Sequence, residues 1–271
     1  MAMTSEPTVM TVENRLPVRN VIGFPVAALP FDAQIALMLQ WAKSFSSKVV
    51  CIANVHMLIE AYRNPDFANV LKGADLVAPD GMPLVWMLKL MGVKHQDRVA
   101  GMDVLLALCK AACSEDLSIF FLGSQTTVLK KMRERLEKDF PTLRIAGMEP
   151  LPFRPMTEAE EAAIVQTLND SKAGFVLVAL GCPKQETWMT QHRGKVQAVM
   201  VGLGGAFPVY AGIHKRAPQL VRDLGLEWLY RLLQEPKRLW GRYSSTIPVF
   251  VWLALKQLLA APRNVHSREL Q

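Results

Sequence analysis

The sequence predicts an α/β protein: a Rossmann-like, mainly parallel sheet with helices on both faces. Two observations predict it. From Val21 onward, short β-rich runs alternate with longer stretches of helical periodicity, and most of the runs are continuously apolar, as strands covered on both faces must be. A chain of 271 residues that is 51% hydrophobic can bury such a sheet in a sizeable core.

Residues 1–20 are rich in Thr, Glu and Pro and contain no apolar h-region, so they read as a flexible leader and not a signal peptide, which keeps the expected location cytoplasmic. The domain expected over 21–212 carries strands at Val49–Ala53, Leu76–Ala78, Ser118–Leu122, Arg144–Gly147, Phe175–Ala179 and Ala198–Val201. Helical spacing covers Phe31–Phe45, Met82–Met91, Met102–Ser114, Gln125–Phe140, Thr157–Ser171 and Lys184–His192. Thr157 followed by Glu160 is a capping-box start.

The composition changes after Gly212. Residues 213–271 form a basic, then apolar, appendage: Lys215, Arg216, Arg222, Arg231, Lys237, Arg238 and Arg242 stand against Asp223, Glu227 and Glu235, and the run Ile247–Leu259 follows. That run is shorter than the roughly 20 residues a membrane-spanning helix needs. Basic and aromatic residues beside it, with Trp240, Tyr243 and Trp252, suit a helix lying in an anionic membrane interface. A core helix or a homo-oligomer contact is the alternative. The net charge of +7 points to an anionic partner, either nucleotide phosphates, acidic lipid or nucleic acid. The sequence lacks interleaved aromatics or a recognition-helix motif, so nucleic acid is not expected.

In open α/β sheets ligands bind beyond the carboxyl ends of the strands. The residues there are Asn54 and His56, Asp80-Gly81, Gly123-Ser124, Gly181-Cys-Pro-Lys184-Gln185-Glu186, and Gly202-Leu-Gly204-Gly205. Asp80, between Pro79 and Gly81, is either a helix N-cap or a partly desolvated carboxylate able to take a proton from a hydroxyl. The glycine turns can bring backbone N–H groups to phosphate oxygens or can be ordinary turns. His56 is a substrate contact or a helix-start residue. Neither G-x-G-x-x-G after the first strand nor G-x-x-x-x-G-K-[ST] occurs, which disfavours a dinucleotide oxidoreductase or a P-loop NTPase. The five histidines are dispersed and the four cysteines are unpaired in zinc-type spacing, so no metal and no cofactor is expected.

The order of motifs carries a resemblance. Asn54, Asp80-Gly81, Arg98-Val-Ala-Gly101-Met-Asp103, Phe121-Leu-Gly123, Gly181-Cys-Pro-Lys-Gln185-Glu186-Thr-Trp188, Gly202-Leu-Gly-Gly-Ala-Phe207, Arg216-Ala-Pro218 and Gly225-Leu-Glu-Trp-Leu-Tyr-Arg231 together resemble the WecG/TagA/CpsF glycosyltransferase family from about Val21 to Tyr243. The resemblance implies inverting, metal-independent transfer of a sugar from a UDP-sugar donor to a lipid-linked sugar, the lipid being undecaprenyl diphosphate. It implies Asp80 as general base, Arg98 in activity, Asn54 and Gln185 in the pocket, and a basic tail that meets the inner face of the plasma membrane, with Arg231, Arg238 and Arg242 as diphosphate contacts. Two departures stand out: Ile52 where the family commonly has Thr, and Phe207-Pro208 where it has Phe-Asp. They remove a hydroxyl and a carboxylate near the pocket, so the donor hexose is not fixed as N-acetylmannosamine. A catalytically silent nucleotide-sugar-binding scaffold on the same sheet is the competing reading.

Overall fold

The computed structural model describes residues 16–152 and 154–260. It opens with a hairpin of β1 (Val18–Val21) and β2 (Phe24–Ala27). The turn between them has positive φ at both Ile22 and Gly23, and Asn20 Oδ1 accepts from the Gly23 N–H at 2.7 Å. Val18–Asn20 therefore belong to a strand and not to a leader: alternate side chains of this hairpin, among them Val21, Phe24 and Val26, have a core to pack on. The leader expected before them, through residue 15, lies outside the described residues, as do 261–271 at the other end.

There follow α1 (Phe31–Lys43), β3 (Lys48–Ala53), α2 (Val55–Arg63), α3 (Pro65–Gly73), β4 (Leu76–Pro79), α4 (Met82–Leu90), α5 (Gly101–Ser114), β5 (Ser118–Gly123) and α6 (Thr126–Asp139). Then come β6 (Arg144–Glu149), α7 (Glu158–Asp170), β7 (Phe175–Ala179), α8 (Lys184–Gln191), β8 (Val199–Gly202), α9 (Ala206–Tyr210), α10 (Gln219–Asp223), α11 (Glu227–Gln234) and α12 (Pro236–Ala260). The six predicted strands form one parallel sheet in the order β4-β3-β8-β7-β5-β6. Thr157 caps α7 with the predicted box: its hydroxyl accepts from the Glu160 N–H, and Glu160 accepts from the Thr157 N–H.

Alternation along each strand divides the apolar residues between two cores. In β3, Val49, Cys51 and Ala53 face one and Val50 and Ile52 the other; in β7, Val176 and Val178 oppose Phe175, Leu177 and Ala179. Helices α2, α3, α4, α7 and α8 cover the first core, and α1, α5, α6 and α9 the second. Each buried Val, Leu, Ile or Phe contributes about 1.5–3 kcal/mol, which is why apolar runs of four to six residues suffice to fix these strands.

The appendage is helical and docked. α12 packs along α2 and inserts Phe250 into the first core, while Gln257 accepts from the Ile22 N–H at 2.7 Å and donates to the Asn20 carbonyl at 2.6 Å. The run Ile247–Leu259 is thus the second half of a longer helix with two characters: Phe250 is buried, whereas Val251, Trp252, Leu255 and Leu259 are exposed. No helix among the described residues is long and apolar enough to cross a membrane.

Candidate active site

The carboxyl ends of the strands carry the chemistry. Asp80 directly follows β4 and is pinned there, its N–H donating to the Ala53 carbonyl of neighbouring β3 at 2.7 Å. The residue capping α4 is Gly81, at φ +93°, and the cap has no side-chain bond, so the Asp80 carboxylate is not spent as a helix cap. Desolvation raises its pKa to about 7, helped by the negative charges of Glu227 and Asp103 and opposed by Arg98 and Arg231.

Arg98 is brought beside this strand end because the N–H of Val99 donates to the Pro79 carbonyl at 2.9 Å. Its Nη1 donates to Oε2 of Glu227 at 2.6 Å, and its Nη2 lies 3.6 Å from Asp103 Oδ2. Asp103 in turn pairs with Arg216 and stands 3.9 Å from Arg222. Asp103 therefore organises arginines, and the polar work expected of it as a substrate contact is taken up by these pairs. Gly101 starts α5 where an added Cβ would touch Leu203 at 3.5 Å, which seats the helix against the turn after β8.

The glycine turns interlock. Gln185 is buried, and its Oε1 accepts from the N–H of Gly181 at 3.2 Å and of Gly204 at 3.1 Å. A Cβ at Gly204 would fall 2.6 Å from that oxygen and 3.1 Å from the Gly181 nitrogen, so any other residue would have to displace the Gln185 amide from its two bonds. Gln185 Nε2 donates to Glu186 Oε1 at 2.7 Å; Glu186 is 0% exposed, its Oε2 has no partner, and burial raises its pKa to about 7. Both were expected to line the pocket. They point inward instead, and shape it by tying the loops after β7 and β8 together.

Gly123 ends β5 at φ +90°, where a Cβ would meet the Ala179 carbonyl at 2.8 Å. The chain from β5 turns into α6 over the second core, while the chain from adjacent β7 turns into α8 over the first. Such a divergence opens a crevice. Ser124 stands in it and lines two clefts. One, of about 380 Å³, is walled by Leu151, Pro155, Leu180 and Trp188 with Lys184 at its edge. The other, of about 260 Å³, is lined by Gln125, Val128, Pro208, Ile213 and His214. Neither is lined by Asp80, which lies four strands away along the edge, about 19 Å at ordinary strand spacing.

Asn54 is exposed at the end of β3 and caps α2, its Oδ1 accepting from the Met57 N–H at 3.2 Å. His56, on the first turn of α2, is neutral: burial and the nearby Arg242 and Arg63 lower its pKa to about 4, and its Nδ1 has no hydrogen-bond partner among the described residues, Glu60 Oε1 lying 3.7 Å away. The tail arginines differ. Arg238 is engaged by Glu235, with contacts of 2.5 and 2.8 Å. Arg231 lies against Gly205, 3.2 Å from where its Cβ would be, and neither it nor Arg242 forms an ion pair among the described residues. Gly225 lets the α10–α11 turn close on Met82 and Trp86 of α4. Glu227 was not singled out from the sequence; its only signal was its place in Gly225-Leu-Glu-Trp, since its partner Arg98 is 129 residues distant. Among the described residues no three His, Cys, Asp or Glu side chains are placed to hold a metal ion.

Asp80, Arg98 and Arg231 thus gather at the carboxyl edge of a parallel sheet, the place where open α/β sheets bind ligands. The description of the glycosyl transferase WecG/TagA/CpsF family matches residues 19–264, and the chain belongs to that family. It is similar to N-acetylglucosaminyldiphosphoundecaprenol N-acetyl-beta-D-mannosaminyltransferases. The similarity is 37% identity with that of Bacillus spizizenii, covering 82% of this chain and 84% of the relative. It is 32% with that of Bacillus subtilis strain 168, covering 82% and 87%, and 27% with that of Staphylococcus aureus strain MW2, covering 91% and 96%.

Proposed function

We propose that the protein transfers a hexose from a UDP-sugar to an undecaprenyl-diphosphate-linked sugar at the cytoplasmic face of the membrane, by single displacement and without a metal, in the synthesis of a bacterial surface polysaccharide. The observation that carries the reading is Asp80, a carboxylate held near neutrality at the sheet edge with the Arg98 and Arg231 guanidinium groups beside it. As the acceptor hydroxyl attacks C1 of the donor sugar, Asp80 takes its proton, the bond from C1 to the diphosphate breaks, and UDP departs. One base and one displacement invert the anomeric carbon. Arg231, Arg242 and Arg98 supply positive charge for the departing diphosphate, and guanidinium forks suit phosphate oxygens. The clefts at Ser124 suit the nucleoside, whose diphosphate then runs along the Gly181 and Gly204 turns toward Asp80.

The relatives' names support a polyprenyl-diphosphate sugar as acceptor. The tail supports work at a membrane surface: Leu220, Leu224, Leu233 and Trp240 are exposed on a segment that also carries the exposed Lys237 and Arg238. The test is a panel of UDP-sugars offered in EDTA with a short-chain lipid-diphosphate-sugar acceptor, product mass being the readout. One donor should give a product heavier than the acceptor by one hexosyl residue. If no donor does, while UDP-sugars still bind, the protein is a nucleotide-sugar-binding scaffold.

A further inference from the structure

Resting on the transferase reading, one contact beside Asp80 has a consequence for substrate binding. Arg98 already holds an anion. Its Nη1 donates to Glu227 Oε2 at 2.6 Å, and the side chains of Arg98 and Glu227 are 14% and 29% exposed, which leaves the pair within reach of solutes yet partly desolvated. Glu227 is the first residue of α11, the helix that carries Arg231, so the pair also fastens that helix at the strand ends beside Asp80 and Gly205. The second nitrogen of the fork faces Asp103 only at 3.6 Å, and Asp103 is shared with Arg216 and Arg222. A guanidinium offers two parallel donors to two oxygens of a carboxylate or a phosphate, and Glu227 takes the position that a phosphate oxygen would take.

We propose that Glu227 is a tethered stand-in for the substrate's diphosphate: it occupies the Arg98 fork in the empty enzyme and yields it to an arriving diphosphate ester. An incoming ligand then competes with an intramolecular anion, and its apparent affinity is reduced by the fraction of time the fork is taken. Glu227 is a positioning residue in this scheme, acting through Arg98 and through the charge it places near Asp80. The charged groups acting on Asp80 are Glu227 and Asp103, which favour its protonated form, and Arg98 and Arg231, which favour its ionised form. Neutralising Glu227 removes one of the first pair and releases Arg98 to act on Asp80, so both effects move the titration downward.

The test compares the full chain with Glu227→Gln by titration calorimetry, using UDP in one arm and a short-chain prenyl diphosphate N-acetylglucosamine in the other. The expected result is roughly fivefold tighter binding of at least one of the two by Glu227→Gln, with the acid limb of the kcat/KM–pH profile moved to lower pH; the arm that responds identifies which diphosphate uses the fork. Glu227→Asp, which keeps the charge but withdraws it by one methylene, gives a smaller gain in the same direction and serves as the deciding variant if Glu227→Gln does not fold. Unchanged or weakened binding in both arms overturns the inference and leaves Glu227 as a tether of α11 alone. Failure of the wild type to bind either ligand overturns the transferase reading as well.

Discussion

Asp80 combines a favourable place for catalysis with an unfavourable one for stability. A general base must be ionised, and burial holds this carboxylate at about 7, so transfer is expected to rise with pH through about 7 and to level off above it, as a kcat/KM–pH profile would record. The stability sign is opposite. Because the folded-state pKa is raised from 3.8, the folded chain binds the proton more tightly than the unfolded chain does, and the contribution of Asp80 to stability falls as pH climbs from about 4 to 7. Asp80→Asn should therefore stabilise the protein by roughly 1–3 kcal/mol at pH 8 and by little at pH 3, measured by urea unfolding. Spacing alone left Asp80 open between cap and base. The cap is Gly81, a distinction that depends on the positive φ there and was not legible in the residue order.

At the scale of elements, the β7–α8 and β8–α9 turns act as one unit because a single buried side chain, Gln185, bonds both. Gly204→Ala sets a Cβ 2.6 Å from Gln185 Oε1 and should cost about 1–3 kcal/mol in thermal or urea unfolding, along with a loss of nucleotide binding. Five of the six strands were legible because both their faces are buried, which makes apolarity continuous, whereas β6 is a half-exposed edge strand. The β1–β2 hairpin was not: four-residue strands, one containing Pro25, show too little alternation to stand out from a polar N-terminal stretch. Helix α2 was missed for a related reason. Asn54, just beyond β3, starts α2 as its cap, and such a cap resembles a ligand-binding asparagine in sequence. Gln185 and Glu186 illustrate the converse, polar residues at a strand end that turn inward to hold loops.

At the scale of the whole molecule, the appendage is joined to the sheet domain by the Arg98–Glu227 and Asp103–Arg216 pairs near Asp80, and by Phe250 and Gln257 at the hairpin and α2. None of these couplings follows from local pattern, since each links residues more than a hundred positions apart. They also determine how the membrane reading should be tested. Removing everything after Gly212 would uncover the core surface under Phe250, so exposed positions are the better probes. Leu233→Glu with Trp240→Glu, at side chains 74% and 66% exposed, should weaken binding to anionic vesicles by roughly tenfold or more in a flotation assay without lowering the unfolding midpoint.

The central claim is that Asp80 deprotonates the hydroxyl of a lipid-linked acceptor. The direct measurement is transfer by wild type, Asp80→Asn and Asp80→Ala to a short-chain lipid-diphosphate sugar, followed by product mass, with UDP binding measured in parallel. The expected result is a single-hexose product from the wild type, loss of transfer by at least about 100-fold in both variants, and retained UDP binding. Wild-type turnover by Asp80→Ala would contradict it.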